Sequence, residues 1–313
     1  MTIKEFYNYS IQKGIDADFR TNEYVEKLQE RRRKKYEKMS EEEKAGFDTE
    51  SLTNPYSDSR ILHLEEDREI KRVMVGIDFD VAELLVAKEL GDVDLMLAHH
   101  PHGRALSDMH EVMELQADIF QIYGVPINIG EGLMKERISE VARGLNPRNN
   151  WRAVDVAVLL KTNFACVHTP ADNISAQFVR EAIEKEDPER VEDLLKVLSG
   201  IGEYKKAIAR GTGPKIFVGQ PENRLGKILV DMTGGTEGSP KLYEKMANAG
   251  IGTLVSMHIS EDHKKEAEAS HLNIIVAGHM SSDSIGMNLL VDELERSGTE
   301  IIPAGGFLRV SRV

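Results

Sequence analysis

His99-His100-Pro101 closes the apolar run Val93-Asp94-Leu95-Met96-Leu97-Ala98, and Gly278-His279-Met280-Ser281-Ser282-Asp283 follows Asn273-Ile274-Ile275-Val276-Ala277. His168-Thr169-Pro170-Ala171-Asp172 likewise stands directly behind an apolar stretch. Imidazole nitrogens and carboxylate oxygens together suit zinc, iron(II) or manganese, and without a thiolate pair nothing selects zinc alone. Short apolar runs read as buried parallel strands, and ligands bind beyond the carboxyl ends of such strands. Three strand ends carrying His and Asp therefore point to one converging metal site.

Each cluster also has a plainer reading. Consecutive strand residues face opposite ways, so His99 and His100 reach one site only where the strand ends. Pro101 favours such an end, because it restricts His100 to extended or turn geometry and supplies no amide to a ladder. In the other two clusters an Asp follows a His by four residues, one helical turn. Thr169, Ser281 or Ser282 could cap those helices, with Asp172 and Asp283 as acids near a positive helix end. The recurrence of His-x-x-x-Asp behind two separate apolar strands favours the site.

The elements that must position these residues alternate. Val73–Asp78 reads as a strand, Val81–Leu90 as a helix and Leu95–Ala98 as the next strand, which implies a parallel sheet with right-handed crossovers. Asp108–Tyr123 has helical spacing. Val154–Leu160 and Phe164–Val167 read as strands, and Ala176–Leu198 is mostly helical around Pro188. Lys227–Asp231, Leu242–Ala249 and Gly252–His258 then repeat the order strand, Asp, helix, Gly, strand, His. The expected fold is α/β, with two similar halves at residues 71–210 and 211–313 whose largely parallel sheets face a shared metal cleft. Residues 1–70 form a charged helical extension, including Arg31-Arg32-Arg33-Lys34-Lys35 and Glu41-Glu42-Glu43, and Asn54–Ser59 reads as a loop into the main body.

The 313 residues carry a net charge of −13, which argues against a nucleic-acid platform but leaves room for a small anionic substrate held by a local cation. A single cysteine fits a reducing compartment. No run approaches the roughly 20 apolar residues that span a bilayer, and Met1–Glu5 lacks the order of a signal peptide. The expected location is cytoplasmic, with no membrane partner.

The segments Val75–Asp78, Asp94–Pro101, Val167–Asn173 and Ala277–Asp283 resemble the signatures of the Nif-three-like family, dinuclear-metal proteins often described as GTP cyclohydrolase I type 2 homologues. The resemblance runs from about Arg72 to Val313. It implies two divalent metal ions (zinc, iron or manganese) held by His99, His100, Asp172, His279 and Asp283, with His168 beside them as a ligand or as a hydrogen-bond partner of one. The family normally has Glu where Asp283 stands, a side chain one methylene longer. The resemblance also implies a toroidal homo-hexamer with these sites on its inner face.

Two divalent ions outweigh two aspartates, so such a site attracts phosphate. Metals roughly 3.5–4 Å apart can activate water and clamp the oxygens of a displacement. The expected function is metal-assisted hydrolysis of a phosphate-bearing substrate, with nucleotides a candidate class; the alternative is a non-catalytic protein that stores, delivers or senses metal, or a scaffold. Cys166 shares a strand face with His168 but stands alone, so no two-cysteine zinc site can form. Met232–Ser239 follows a strand and precedes a helix. Its amides could hold a phosphate, although it lacks the Gly-Lys-Ser/Thr ending of a P-loop and a plain turn explains it equally well. His102, His110, His258 and His263 are candidates to contact the substrate or the ligands.

Overall fold

The computed structural model describes residues 1–313. Helices α1 (Ile3–Asp16), α2 (Asn22–Glu37) and α3 (Glu41–Gly46) precede β1 (Arg60–His63). There follow β2 (Arg72–Gly76), α4 (Val81–Leu90), β3 (Leu95–Ala98), α5 (Gly103–Ser107), α6 (Glu114–Ile122), α7 (Ile127–Leu145), α8 (Arg152–Leu160), β4 (Phe164–Cys166) and α9 (Thr169–Glu186). Then come α10 (Val191–Ser199), α11 (Gly202–Ala209), β5 (Lys215–Val218), β6 (Lys227–Asp231), α12 (Leu242–Asn248), β7 (Ile251–Ser256), α13 (Glu261–Ala269), β8 (Asn273–Val276), α14 (His279–Arg296) and β9 (Glu300–Ala304).

Two mixed, mostly parallel sheets result, with strand orders β1-β4-β3-β2-β9 and β5-β8-β7-β6. Only β1 against β4 and β5 against β8 are antiparallel. Strands β1 to β4 of the first sheet match β5, β6, β7 and β8 of the second in order and sense, with β2 standing for β6. The internal duplication suggested by the strand–Asp–helix–strand–His pattern is therefore visible in the topology. β9 has no counterpart, and it pairs in parallel with β2 from Arg72↔Glu300 to Gly76↔Ala304. Residues 300–304 thus lie in the first sheet rather than in a second half spanning 211–313.

Both sheets are covered on both faces, which is why their strands are apolar at successive positions. On one face of the first sheet Val73, Val75, Leu95 and Leu97 pack with Ile3, Phe6, Ile11, Leu290 and Val291; on the other, Met74, Met96 and Phe164 pack with Leu84, Ala87, Val154 and Ala157. The second sheet does the same, with Leu229, Leu254 and Ile274 on one side and Val230, Val255 and Ile275 on the other. Helix α1 is therefore core rather than appendage. A reciprocal Thr2–Glu5 capping box starts it, and its Ile3, Phe6, Tyr7 and Ile11 stripe is buried.

Val154–Leu160 is helix, not strand. The run has apolar residues on every side of a helix, with Ala153, Val154 and Ala157 turned to the sheet and Val158 and Leu159 turned to solvent. A short apolar run of this kind does not distinguish the two structures by periodicity. The stretch Asp108–Tyr123 is likewise divided, into a 3₁₀ turn at Met109–Met113 and α6.

The contact that sets the site is the packing of α9 on α14. At Gly286 an added Cβ would lie 2.0 Å from the Ala171 carbonyl oxygen, so only glycine allows this approach. Gly286→Ala would gain up to about 1 kcal/mol of helix propensity, but a backbone atom cannot yield as a flexible side chain would. The expected net result is a loss of about 1–3 kcal/mol, seen as a lower urea midpoint with unchanged slope. An unchanged midpoint would show that α9 and α14 can separate without cost.

Candidate metal centre

His99 and His100 follow β3, His168 follows β4, and His279 opens α14 just beyond β8. Asp172 and Asp283 each occupy the first turns of their helix, four residues after a histidine. Gly278 joins β8 to α14 with φ +106, and a Cβ there would lie 2.7 Å from Ser281 Oγ and 2.9 Å from the Thr212 carbonyl. That turn is what delivers His279 and Asp283 to the first sheet's histidines.

The six predicted residues converge. His99 Nε2 is 3.3 Å from Asp172 Oδ1 and 3.6 Å from Asp283 Oδ1. His100 Nε2 and His279 Nε2 lie 3.5 and 3.6 Å from the other oxygen, Asp283 Oδ2. His168 Nε2 faces Asp172 Oδ2 at 3.9 Å. The ligand-type atoms of His99, His100 and His168, of His100, His279 and Asp283, and of His99, Asp172 and Asp283 each lie within 4.8 Å of one another. Asp283, although shorter than Glu, turns its two oxygens toward different histidines.

These atoms fit a cation. His99 Nε2, Asp172 Oδ1 and both Asp283 oxygens are buried and lack any hydrogen-bond partner. Buried polar atoms are normally paired, and each left alone costs about 1–3 kcal/mol. Their separations exceed hydrogen-bond length but match two atoms each about 2.1 Å from a shared ion.

The other nitrogen of three histidines is already committed. His99 Nδ1 donates to the Val167 carbonyl at 3.2 Å, His100 Nδ1 to Asp78 Oδ1 at 2.6 Å, and His168 Nδ1 to Asp58 Oδ2 at 2.8 Å. Each bond fixes the tautomer that leaves Nε2 free toward the centre, the usual support of metal-binding imidazoles.

With the geometry in place, likeness to solved structures decides the family. The chain is 30% identical to a NIF3 superfamily protein from Sphaerobacter thermophilus, over 80% of this chain and 91% of that one, with a TM-score of 0.72. The chain belongs to the NIF3 superfamily. Two more distant likenesses are reduced HcgD from Methanocaldococcus jannaschii, at 17% identity over 76% of this chain and 84% of that one with TM-score 0.49, and a Bacillus cereus protein related to NIF3, at 10% over 82% and 91% with TM-score 0.42. No protein-family profile matches the chain, and no curated protein matches it either.

The electrostatics of this NIF3 centre follow from burial and crowding. Burial pushes His99 well below its ordinary value, so its Nε2 carries a lone pair. Burial also works against charge on His100, yet the carboxylates of Asp283 and Asp78 outweigh it and hold the imidazole at about 10. His168 is raised in the same way, its burial opposed by Asp172 and Asp58. Asp172 is pushed up to about 6 by burial. Protons thus stand where a divalent cation would, and binding a metal must displace them.

Asp58 was not foreseen. It is fully buried and accepts from His168 Nδ1 and from the Thr169 hydroxyl at 2.6 Å, while Ser59 Oγ accepts from the His168 amide at 2.9 Å. Ser57-Asp58-Ser59 has the composition of any polar turn, so nothing local marked it out. Cys166 does not join the centre; it packs beside Phe164 and Ala98, its Sγ 3.8 Å from the Asp58 carbonyl, and burial pushes its thiol up to about 12. Among the other histidines, His258 stands against His279 with ring centroids 5.1 Å apart, and His263 holds the Gly238 carbonyl at 3.0 Å. His110 bonds the Ser107 carbonyl instead, and His102 stacks near Phe164.

Asp58→Ala removes both the anchor of His168 and the acceptor of Thr169. Metal affinity, measured by competition with a chromogenic chelator, is expected to fall about 10–100-fold. Parent-like affinity would show that Asp58 does not orient a metal-binding imidazole.

Proposed function

We propose that this protein is a dinuclear metal-dependent hydrolase acting on a phosphate-bearing substrate, with nucleotides such as GTP among the candidates. One observation carries the reading: four buried ligand-type atoms, on His99, Asp172 and Asp283, face one another without partners. His99, His100, Asp172, His279 and Asp283 would hold the two divalent ions, with His168 beside them as a further ligand or as a partner of one. Zinc, iron(II) and manganese all suit this donor set. When bound, such ions would polarise a phosphoryl oxygen and activate water. The chain's own residues do the rest. Asp78 and Asp58 orient imidazoles, and the buried walls around His99 and Asp283 keep bulk water from the carboxylates.

The protein purified without oxygen is expected to carry divalent metal and to turn over one of GTP, phosphomonoesters or phosphodiesters. His100→Ala and Asp283→Ala should each reduce that turnover at least 100-fold, and stripping metal with chelator should abolish it. Turnover that survives both substitutions would overturn the assigned centre. Full metal loading without turnover on any of these substrates would favour the non-catalytic, metal-delivery alternative.

The homo-oligomer, a hexamer by family resemblance, would form through the outer faces of α4 and α8. These helices lie side by side, tied by an Arg152–Asp80 ion pair and by Lys88 Nζ donating to the Leu160 carbonyl at 3.4 Å. Leu85, Val86, Leu90, Trp151 and Leu159 on this layer are 51%, 53%, 49%, 49% and 81% exposed, a cluster of apolar surface of the kind that marks an interaction face. Both signs of charge flank it, Lys88, Arg152 and Lys161 beside Asp80, Glu83, Glu89 and Asp155, so oppositely charged groups are available to pair across such a contact. No helix is long and apolar enough to cross a membrane. The buried unpaired thiol suits a reducing compartment, and the proposed location is the cytoplasm. Leu85→Glu with Leu159→Glu should lower the mass measured by light scattering while leaving metal content unchanged. An unchanged mass would place the interface elsewhere.

A further inference from the structure

The pocket beside the metal centre has a wall that the proposed function leaves without a role, the segment Met232–Ser239 between β6 and α12. Its carbonyls are turned into the protein. Gln116 Nε2 donates to the Gly234 and Thr236 carbonyls at 2.7 and 2.6 Å. Arg137 Nε donates to the Glu237 carbonyl at 3.0 Å, and His263 Nε2 meets the Gly238 carbonyl at the same distance. All peptide bonds here are trans, so each amide N–H points away from the carbonyl of the residue before it. The amides of Gly235, Glu237, Gly238 and Ser239 are therefore directed away from those four anchors. None of them donates to an acceptor within the protein, and all four residues line the pocket, so their N–H groups are open to a ligand or to water.

Two features show that this loop is built and not merely irregular. Gly234 and Gly235 both hold positive φ, +90 and +87, and a Cβ on Gly234 would lie 2.7 Å from Gln116 Cγ. Gln116 itself is 3% exposed, so the loop is wrapped on a buried amide that serves no other partner. The Thr236 amide turns back onto the Gly234 carbonyl at 3.2 Å, so the unbroken run of unpaired N–H groups is Glu237, Gly238 and Ser239, and such a run in a turn can form an anion-binding concavity. The Glu237 carboxylate does not compete for it, being taken by His258 Nδ1 at 2.8 Å and by the Ser260 amide at 3.1 Å. Asp231 also lines the pocket and has no hydrogen-bond partner, which favours a ligand that brings a hydroxyl donor next to its anionic group.

We propose that the Gly235–Ser239 loop is an oxyanion subsite that holds a phosphoryl group of a hydroxylated phosphate ester beside the metal centre. The proposal rests on the reading of a phosphate-bearing substrate, but its test does not use turnover. Ribose 5-phosphate is the probe, titrated by calorimetry into metal-free and metal-loaded protein, with ribose and acetate as controls. Ribose 5-phosphate is expected to bind the metal-loaded form, and the metal-free form at least tenfold more weakly because Asp172, Asp231, Glu237 and Asp283 then oppose the dianion; ribose alone should bind neither. Gln116→Leu, which releases two of the anchored carbonyls, should weaken binding at least tenfold with metal content unchanged. Binding that needs metal and is indifferent to Gln116→Leu would place the phosphoryl group on the metals and overturn the subsite. So would absence of binding to both forms, or acetate binding as tightly as the phosphate ester. Should Gln116→Leu not fold, Arg137→Leu frees only the Glu237 carbonyl near the surface, and at least a threefold loss is expected. If hydrolysis is never found but these affinities are, the loop stands and the hydrolase reading falls; hydrolysis with metal-dependent, variant-insensitive binding gives the reverse.

Discussion

Two carboxylates must stay buried against four imidazoles, and the close crossing of α9 and α14 is what enforces this. Asp172 and Asp283 are 4% and 0% exposed, and each sits in the first turns of one of the two helices that meet at Ala171 and Gly286. A second tight contact lies beneath it, where a Cβ on Gly14 of α1 would be 2.5 Å from the Pro170 backbone. The chain start, both sheets and the site are thereby tied at one point. Moving either helix by an ångström would separate histidines that come from different sheets, so the two halves can make one centre only while this crossing holds.

That arrangement stores an electrostatic conflict. Burial disfavours charge on the four imidazoles and on Asp172, yet His100 and His168 are driven toward the protonated state by the very carboxylates they face. Unpaired oxygens of Asp172 and Asp283 remain even then. A divalent cation resolves all of this at once, because it gives the oxygens a partner and replaces protons on nitrogen. Metal binding and folding of the centre should be strongly linked, as they are wherever ligands are buried before the ion arrives.

The legibility of this centre in the sequence has a physical basis. His99, His100, His168 and His279 each follow an apolar strand, and the ends of parallel strands are where sites assemble, so local pattern carried long-range information. Asp58 lacked such a marker, because its role depends on where a polar turn lands in three dimensions. β9 was missed as a member of the first sheet for a similar reason, since strand order is not written in local periodicity. Helix α1 was readable in principle from Thr2, Glu5 and the Ile3–Ile11 stripe, whereas Val154–Leu160 was ambiguous because α8 is apolar on its solvent side as well.

The two halves have also diverged in a way that explains why the centre is lopsided. In the first half, Asp78 after β2 holds His100 after β3, and that imidazole points at Asp283. By strand register His258 after β7 is the second-half counterpart of His100, whereas Asp231 at the end of β6 stands two positions before the counterpart of Asp78, which is Thr233. There the pairing has changed, for His258 Nδ1 takes Glu237 from the glycine-rich loop, and Asp231 is left free to face the pocket, where burial raises it to about 6. The same strand–helix–strand–His frame occurs twice. One copy turned it toward the metal-facing cluster, and the other opened it into a pocket wall against that cluster. A fold with two equivalent halves would have no reason to bind an asymmetric ligand; this one presents buried metal-type donors on one side and a polar, amide-lined wall on the other.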